Sequence, residues 1–192
     1  MKFIPKDIDY LICGNKRQKE AYNAIDKLDI FKKLEKFNPV LAGTIPLEID
    51  IDSSDLDIIC ESSDLKEFES IIKLHFGSLH SFNSYTLNVR GVPSVITSFE
   101  VHGFTFEIFC QSVTVQNQYA VIHLNIEARL LRLSDDAAKE NIRNLKLQGI
   151  KTELAFAIYF KIAGDPYVEL AKMANLTYQQ LQNMIDELSL KH

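Results

Sequence analysis

Residues 40–61, VLAGTIPLEIDIDSSDLDIICE, hold two short apolar runs joined by an acidic, serine-containing connection. Val40-Leu41-Ala42 reads as a short strand ending at Gly43, and residues 54–60 read as a second strand. On the second strand Asp55 and Asp57 are two residues apart, so both carboxylates project from one face. Adjacent carboxylates repel and raise each other's proton affinity unless positive charge lies between them. A divalent cation meets that need; Mg²⁺ takes oxygen ligands, commonly one or two carboxylates plus substrate phosphates. Twelve residues before Asp55, Gly43-Thr44 closes the first strand. Glycine lets the backbone come close to a phosphate, and the neighbouring N–H and hydroxyl can donate to it. A phosphate-holding turn beside a metal-binding strand is the minimum apparatus for phosphoryl or nucleotidyl transfer.

Working outward, residues 15–37 space Ala21, Ile25, Leu28, Phe31 and Leu34 at helical intervals, predicting one helix stopped by Asn38-Pro39. Ser63 is expected to cap a helix over 64–76, with Asp64 and Glu67 in its first turn. Residues 82–90, 95–101 and 104–110 are rich in Val, Ile, Phe and Thr and read as strands. The last two meet at His102-Gly103, a natural two-residue turn. With that turn Val101 pairs with Phe104, Glu100 with Thr105 and Ser98 with Glu107, and paired residues share a face. One face is then apolar, and the other carries both Glu100 and Glu107. Glu100 stands beside the turn, in solvent. Glu107 lies three residues in, between Phe106 and Ile108, within reach of Asp55 and Asp57 if their strands are neighbours. The same alternation puts Cys60 and Cys110 on faces opposite Asp57 and Glu107, as buried structural residues.

After Gln111 the character changes. Residues 117–133, 135–148, 151–163, 166–174 and 178–190 read as helices. Ser134 followed by Asp135 and Asp136 marks a helix start, Gly149 and Gly164 stand where C-caps belong, and Asp165-Pro166 is a cap followed by a first-turn proline. The coarse order is α-β-β-α-β-β-β followed by helices. That is an α+β chain with a small mixed sheet: residues 1–111 as an α/β core and 112–192 as a helical C-terminal lobe packed on it.

Composition narrows the class. The 192 residues are 46% hydrophobic and 24% charged, ordinary for a globular protein, with a formal net charge of -5 and a pI near 5.5. An acidic chain is poorly suited to coating long nucleic acids, so no DNA partner is expected. Three cysteines without close spacing argue against a disulfide framework or a CxxC metal site, and for a reducing compartment. The N-terminal MKFIPKDIDYLI has no signal-peptide pattern, and no run approaches the ~20 apolar residues of a membrane span. The expectation is a cytoplasmic protein with no membrane partner.

These residues resemble a known superfamily, the polymerase-beta-type nucleotidyltransferases. Its pattern is a hydrophobic residue, Gly, then Gly or Ser; a spacer of about ten residues; a carboxylate pair separated by one hydrophobic residue; and a carboxylate on a later strand. The chain supplies Ala42-Gly43-Thr44, Asp55-Leu56-Asp57-Ile58 and Phe106-Glu107-Ile108, with Thr44 keeping the hydroxyl of the usual Ser. Over nearly the whole chain, LAGTIPLEIDIDSSDLDIICE, FEIFCQ, HLNIEARLL and LKLQGIKTELAFA look like domain of unknown function family 4269, with Leu154 where that family usually has Pro. A more distant likeness is to GrpB-like proteins. The resemblance implies a metal-dependent transfer of a nucleotide from a nucleoside triphosphate to an unknown acceptor: small molecule, protein or RNA end. It assigns Mg²⁺ (or Mn²⁺) to Asp55, Asp57 and Glu107, and phosphate binding to Gly43, Thr44 and Ser54. The alternatives are a non-catalytic nucleotide- or partner-binding module of the same fold, and a metal-dependent phosphohydrolase.

Other groups carry competing readings. Glu48, Asp50 and Asp52 form a second acidic row, too close to Gly43 for the superfamily spacing, and read as a solvated loop. Residues 39–76 hold nine acidic side chains against two lysines, whereas 111–163 hold seven basic against five acidic. The helical lobe is therefore the expected source of phosphate-neutralising charge, with Arg129 and Lys151 as candidates. His123 and Glu127, four apart on a helix, either share a ligand or form a structural pair. Thr152 opens a helix and reads equally as its cap. Residues 166–190 mimic helix-turn-helix spacing, but the second helix, with Asp186 and Glu187 and Lys191 as its only nearby cation, reads as part of a structural helix pair.

Overall fold

The computed structural model describes residues 7–135 and 137–189; Asp136, Leu190 and Lys191 of the readings above lie outside the described residues. Helix α1 (Lys16–Leu28) starts at a capping box: the Asn15 side chain accepts from the Gln18 N–H at 2.9 Å, and Gln18 accepts from the Asn15 N–H at 3.0 Å. The same buried Gln18 donates to the Ile45 carbonyl at 3.0 Å, so the helix entry is tied to the loop after Gly43. The single helix expected over 15–37 is broken. Asp29 adopts a left-handed backbone (φ 52°) that ends α1, and a short α2 (Ile30–Lys33) and one 3-10 turn follow. The break turns Ile30 and Leu34 into the core, where both are fully buried.

Strand β1 (Val40–Ala42) leads through a 3-10 turn at Ile45–Leu47 to β2 (Leu56–Glu61). Helix α3 (Leu65–Phe76) is capped by Asp64, which accepts from the Lys66 and Glu67 N–H groups at 3.0 Å; the expected cap, Ser63, sits outside it. Then come β3 (His80–Val89), β4 (Val92–Val101) and β5 (Phe104–Gln111). Spatial order is β1-β2-β5-β4-β3, with β2 and β5 parallel and the other neighbours antiparallel. His102 and Gly103 both have positive φ, the two-residue hairpin turn, and β4–β5 pair in the expected register, with Ser98 opposite Glu107.

The helices α4 (Tyr119–Leu133), α5 (Ala137–Leu147), α6 (Thr152–Tyr159), α7 (Pro166–Met173) and α8 (Tyr178–Ser189) follow. Gly149 (φ 85°) closes α5, its N–H donating to the Lys146 carbonyl. Gly164 does not close α6: that helix stops at Tyr159, where left-handed Lys161 turns the chain, and Gly164 instead precedes the Asp165 cap of α7. Among the described residues no helix is long and apolar enough to cross a membrane.

Two cores sandwich the sheet. One joins α1 and α3 to Leu56, Ile58, Cys60, Phe106, Ile108 and Cys110. The other joins the C-terminal helices to Val40, Ala42 and Ile59. Strand alternation assigns even positions of β2 and β5 to the first core, and leaves Asp57 and Glu107 facing the second layer. Both Cys60 and Cys110 are buried as their parity requires, and Cys13 is exposed.

Candidate active site

Gly43 leaves β1 with φ +75°, and a β-carbon built there would lie 2.0 Å from Asp57 Oδ2. Only glycine fits that close approach of backbone to carboxylate. Thr44, nearly buried, donates its hydroxyl to Ser54 Oγ at 3.2 Å, and Ser54 Oγ accepts from the Ile51 N–H at 3.0 Å. This hydroxyl pair pins the end of the β1 turn to the start of β2.

Asp55 lies exposed immediately before β2, while Asp57 sits within it, opposite Ala42 on one side and Glu107 on the other. The parallel β2–β5 pairing makes Asp57 and Glu107 cross-strand neighbours, with strands ~4.8 Å apart. Burial and then Glu107 and Asp55 push Asp57 up to about 7. Burial and Asp55 raise Glu107, against the pull of Lys151; burial raises Asp55, also against Lys151. The three acids thus carry more negative charge than the protein offsets. Glu100 lies apart, exposed and 3.2 Å from the exposed His80.

An oxygen-only set of mutually repelling carboxylates beside a glycine cradle suits Mg²⁺. Among the described residues, no three His, Cys, Asp or Glu groups already converge as a ready-made metal cage.

A cavity of about 450 Å³ opens over Asp57 and Glu107, between the sheet and the helical lobe. Gly43, Thr44, Lys151, His123 and Glu127 also line it. Lys151, exposed at the N-cap of α6, is the cation that acts on Asp55 and Glu107; Thr152 is the first helical residue and not the cap. Arg129 is not in this site. Its guanidinium donates to the Ala174 and Leu176 carbonyls at the end of α7 and lines a separate cavity, because its position on α4 points it at the α7–α8 junction.

His123 does not pair with Glu127 by hydrogen bond. Its Nε2 donates to the Tyr167 carbonyl at 2.9 Å, and its Nδ1 faces Glu153 Oε1 at 3.3 Å. Acceptors at both nitrogens favour the protonated ring, and its pKa is raised despite burial, chiefly by the bond to Glu153. Glu127 is buried and pushed up to about 8, first by burial, then by Glu153.

Three groups escaped the sequence reading. Lys146, buried on α5, donates to the Ile49 carbonyl at 3.0 Å and reaches Ser54 Oγ at 3.5 Å, facing Asp50, Glu127, Asp57 and Glu153. Its signal was present: Ala138, Ile142 and Lys146 repeat at intervals of four on the buried stripe of the helix. The second is Glu153. The third is Arg90, in the β3–β4 turn at the cavity rim, 3.9 Å over the Tyr119 ring. The acidic row is not a solvated loop either. Lys139 pairs with Glu48 at 2.8 Å, Arg143 donates to the Glu48 carbonyl, and Asp50 faces Lys146, so α5 grips the loop. Asp52 alone of the three is exposed.

This sheet order, with carboxylates on the central parallel pair and a glycine turn beside them, is the fold of the polymerase-beta-type nucleotidyltransferases. The chain belongs to the family described as domain of unknown function (DUF4269), which matches residues 23–173. Among solved structures, it is similar to one described as the GLD-2/RNP-8 complex, with TM-score 0.50, 14% identity, and 88% of this chain and 76% of that one covered. It is also similar to the Cid1 poly(U) polymerase bound to Mg 3'-dATP, with TM-score 0.50, 15% identity, and 81% and 48% covered. At these identities the likeness establishes the fold alone. The chain spans about two fifths to half of the Cid1 structures it matches. No curated protein matches this sequence.

Proposed function

We propose that the chain is a metal-dependent nucleotidyltransferase that moves a nucleotide from a nucleoside triphosphate to an acceptor. The observation that carries this reading is the set Asp55, Asp57 and Glu107, whose negative charges reinforce one another beside the Gly43 cradle. These three would hold Mg²⁺ (or Mn²⁺), which when bound neutralises charge on the transferring phosphate. Gly43 and Thr44 offer backbone N–H donors to the phosphates, and the Thr44–Ser54 hydroxyl pair holds the turn in place. Lys151 supplies positive charge from the helical lobe. An acceptor oxygen or nitrogen bonds to the α-phosphorus, the bond to the β-phosphate bridge breaks, and pyrophosphate leaves. The acceptor's proton goes to Glu107 and then to solvent. With residues 1–111 as a core and 112–192 as a lobe, the triphosphate would lie between them.

The test is calorimetric titration of the chain with Mg²⁺ and a panel of non-hydrolysable nucleoside triphosphates. Asp57→Asn is expected to abolish Mg²⁺-dependent nucleotide binding while melting at or above the wild-type temperature without metal, because neutralising the side chain relieves repulsion. Unchanged nucleotide binding, or a large loss of stability, sinks the metal-site role. Pyrophosphate release with and without added acceptors separates transfer from hydrolysis.

A further inference from the structure

The sheet face that carries Asp57 and Glu107 extends past them, and its residues are sorted into rows. Register puts Ala42, Asp57, Glu107, Ser98 and Asn83 in one line across the five strands. Two residues along, roughly 7 Å away, a second line runs Ile59, Phe109, Ile96 and Tyr85 across β2, β5, β4 and β3. Every member of this second line is apolar or aromatic, and three strand spacings give it a length of about 14 Å. Burial grades along it. Ile59 is 4% exposed, Phe109 and Ile96 are half-buried, and Tyr85 is 46% exposed. Leu87, 51% exposed, stands beside Tyr85 on the same face. Ile59 and Phe109 line the cavity, so the row begins inside the site and emerges at the open edge of the sheet.

Formal charge carried by the strands under the shelf has one sign, and the cations Arg90 and Lys151 come from a turn and a helix at the cavity. Strands β2, β3, β4 and β5 contain no Lys or Arg, while Glu100 and Glu107 face the shelf side of the hairpin. Arg90, in the adjoining turn, lies over Tyr119. Phosphate chains are held by Lys and Arg, and a polyanion laid along these strands meets Glu100 and Glu107 with no counter-charge from the strands. An apolar ligand gains instead by covering Tyr85, Leu87 and Ile96.

We propose that this shelf is the acceptor subsite. The acceptor is a partly apolar, non-anionic small molecule whose reacting hydroxyl or amine is laid against Glu107 by the apolar row beside it. This rests on the transferase reading above, with the same bond made to the α-phosphorus and the same pyrophosphate leaving.

The probe is 2-(2-naphthyl)ethanol, a neutral aromatic alcohol, titrated into the full chain and read by fluorescence anisotropy; the chain has no Trp to interfere. Expected is saturable binding that weakens roughly fivefold in Tyr85→Ser and in Leu87→Ser. Leu74→Ser, which removes a 77% exposed leucine on α3 behind the sheet, should bind as wild type. Equal weakening in all three, or none in the shelf variants, marks adventitious adsorption and overturns the proposal. So does tight binding of a short single-stranded RNA that falls steeply with salt. Sedimentation showing a dimer that Tyr85→Ser dissociates would make the shelf an interface between copies, and likewise overturn it. Mg²⁺-dependent triphosphate binding, measured in parallel, separates the two readings. Triphosphate bound without probe refutes the shelf alone, and probe bound without triphosphate refutes the transferase and with it the acceptor role.

Discussion

The two faces of the central sheet are made by the same strands, one residue out of step, yet they differ in kind. On the α1/α3 side, Leu56, Ile58, Cys60, Phe106, Ile108 and Cys110 are all fully buried and apolar. On the other side the intervening residues are Asp57, Ile59, Glu61, Glu107, Phe109 and Gln111, where carboxylates alternate with apolar groups. The first face gains free energy from every side chain it buries. The second packs Val40, Ala42 and Ile59 on the C-terminal helices but also keeps repelling acids in a cleft, offset in part by Lys146 and Lys151. A strand can therefore serve stability and chemistry together, because its two-residue period separates them without lengthening the chain.

The sharpest test of that separation uses two adjacent residues. Phe106 stacks on Phe99 at 5.2 Å, and Phe99 stacks on Phe76 at 5.2 Å. Phe106→Ala is expected to cost about 3–5 kcal/mol in urea unfolding, through lost burial and the cavity left behind. Glu107→Gln, one residue along, should leave stability unchanged or raised and remove Mg²⁺-dependent nucleotide binding. Comparable destabilisation by both would erase the difference between the faces.

Lys146 should blur the contrast in a defined way. It faces Asp50, Glu127, Asp57 and Glu153 from a buried position. Lys146→Met leaves these acids without their shared cation and orphans the Ile49 carbonyl it serves. A loss of about 3 kcal/mol near neutral pH is expected, shrinking on mild acidification as the carboxylates take up protons. A neutral effect would mean that the cleft acids need no internal counter-charge.

What was legible in the sequence follows the range of the interactions. The hairpin register was legible because His102-Gly103 dictates it locally, and so was the opposition of Cys60 to Asp57. The Gly43 turn and the carboxylate pair lie within one short segment. The adjacency of β2 and β5 stayed a condition in the sequence, since parallel neighbours are joined through a crossover and nothing local announces the pairing. Lys146 and Glu153 were missed because their partners are distant in sequence. Arg129 was misjudged because its charge was counted without its direction. The break at Asp29 was hidden because the apolar spacing runs through it.

Gly43 tests the cleft face at intermediate strength. Gly43→Ala forces an L-residue into φ +75° and drives its β-carbon at Asp57 Oδ2. The strain is about 1–3 kcal/mol, seen as a lower melting temperature. Displacement of the Asp57 carboxylate should weaken Mg²⁺-dependent nucleotide binding at the same time. Strain without any change in binding would detach the glycine from the site.

The smallest effect expected is also the most specific to the cleft side. Glu127 is pushed up to about 8 by burial and then by Glu153, with His123 and Lys146 opposing. In the unfolded chain a glutamate titrates near 4.3. Between those values the folded protein holds a proton that the unfolded chain has released. The stability this confers is complete below the unfolded pKa and is lost as pH rises through 8. His123, also raised, adds loss in the same direction above its ordinary value, while Glu153, lowered, acts oppositely and only on the acid side. The wild type should therefore melt progressively lower from pH 5 to pH 8.5 without metal. Glu127→Gln keeps the shape of the protonated acid but cannot ionise. It should match the wild type at pH 5 and exceed it at pH 8.5, read as a higher melting temperature on the alkaline side only. The residual slope in the variant belongs to His123 and to the raised carboxylates of the cleft, Asp57 first among them. Melting curves that run parallel across this range would show that Glu127 ionises freely in the folded protein, and that the cleft face is wetter than its packing implies.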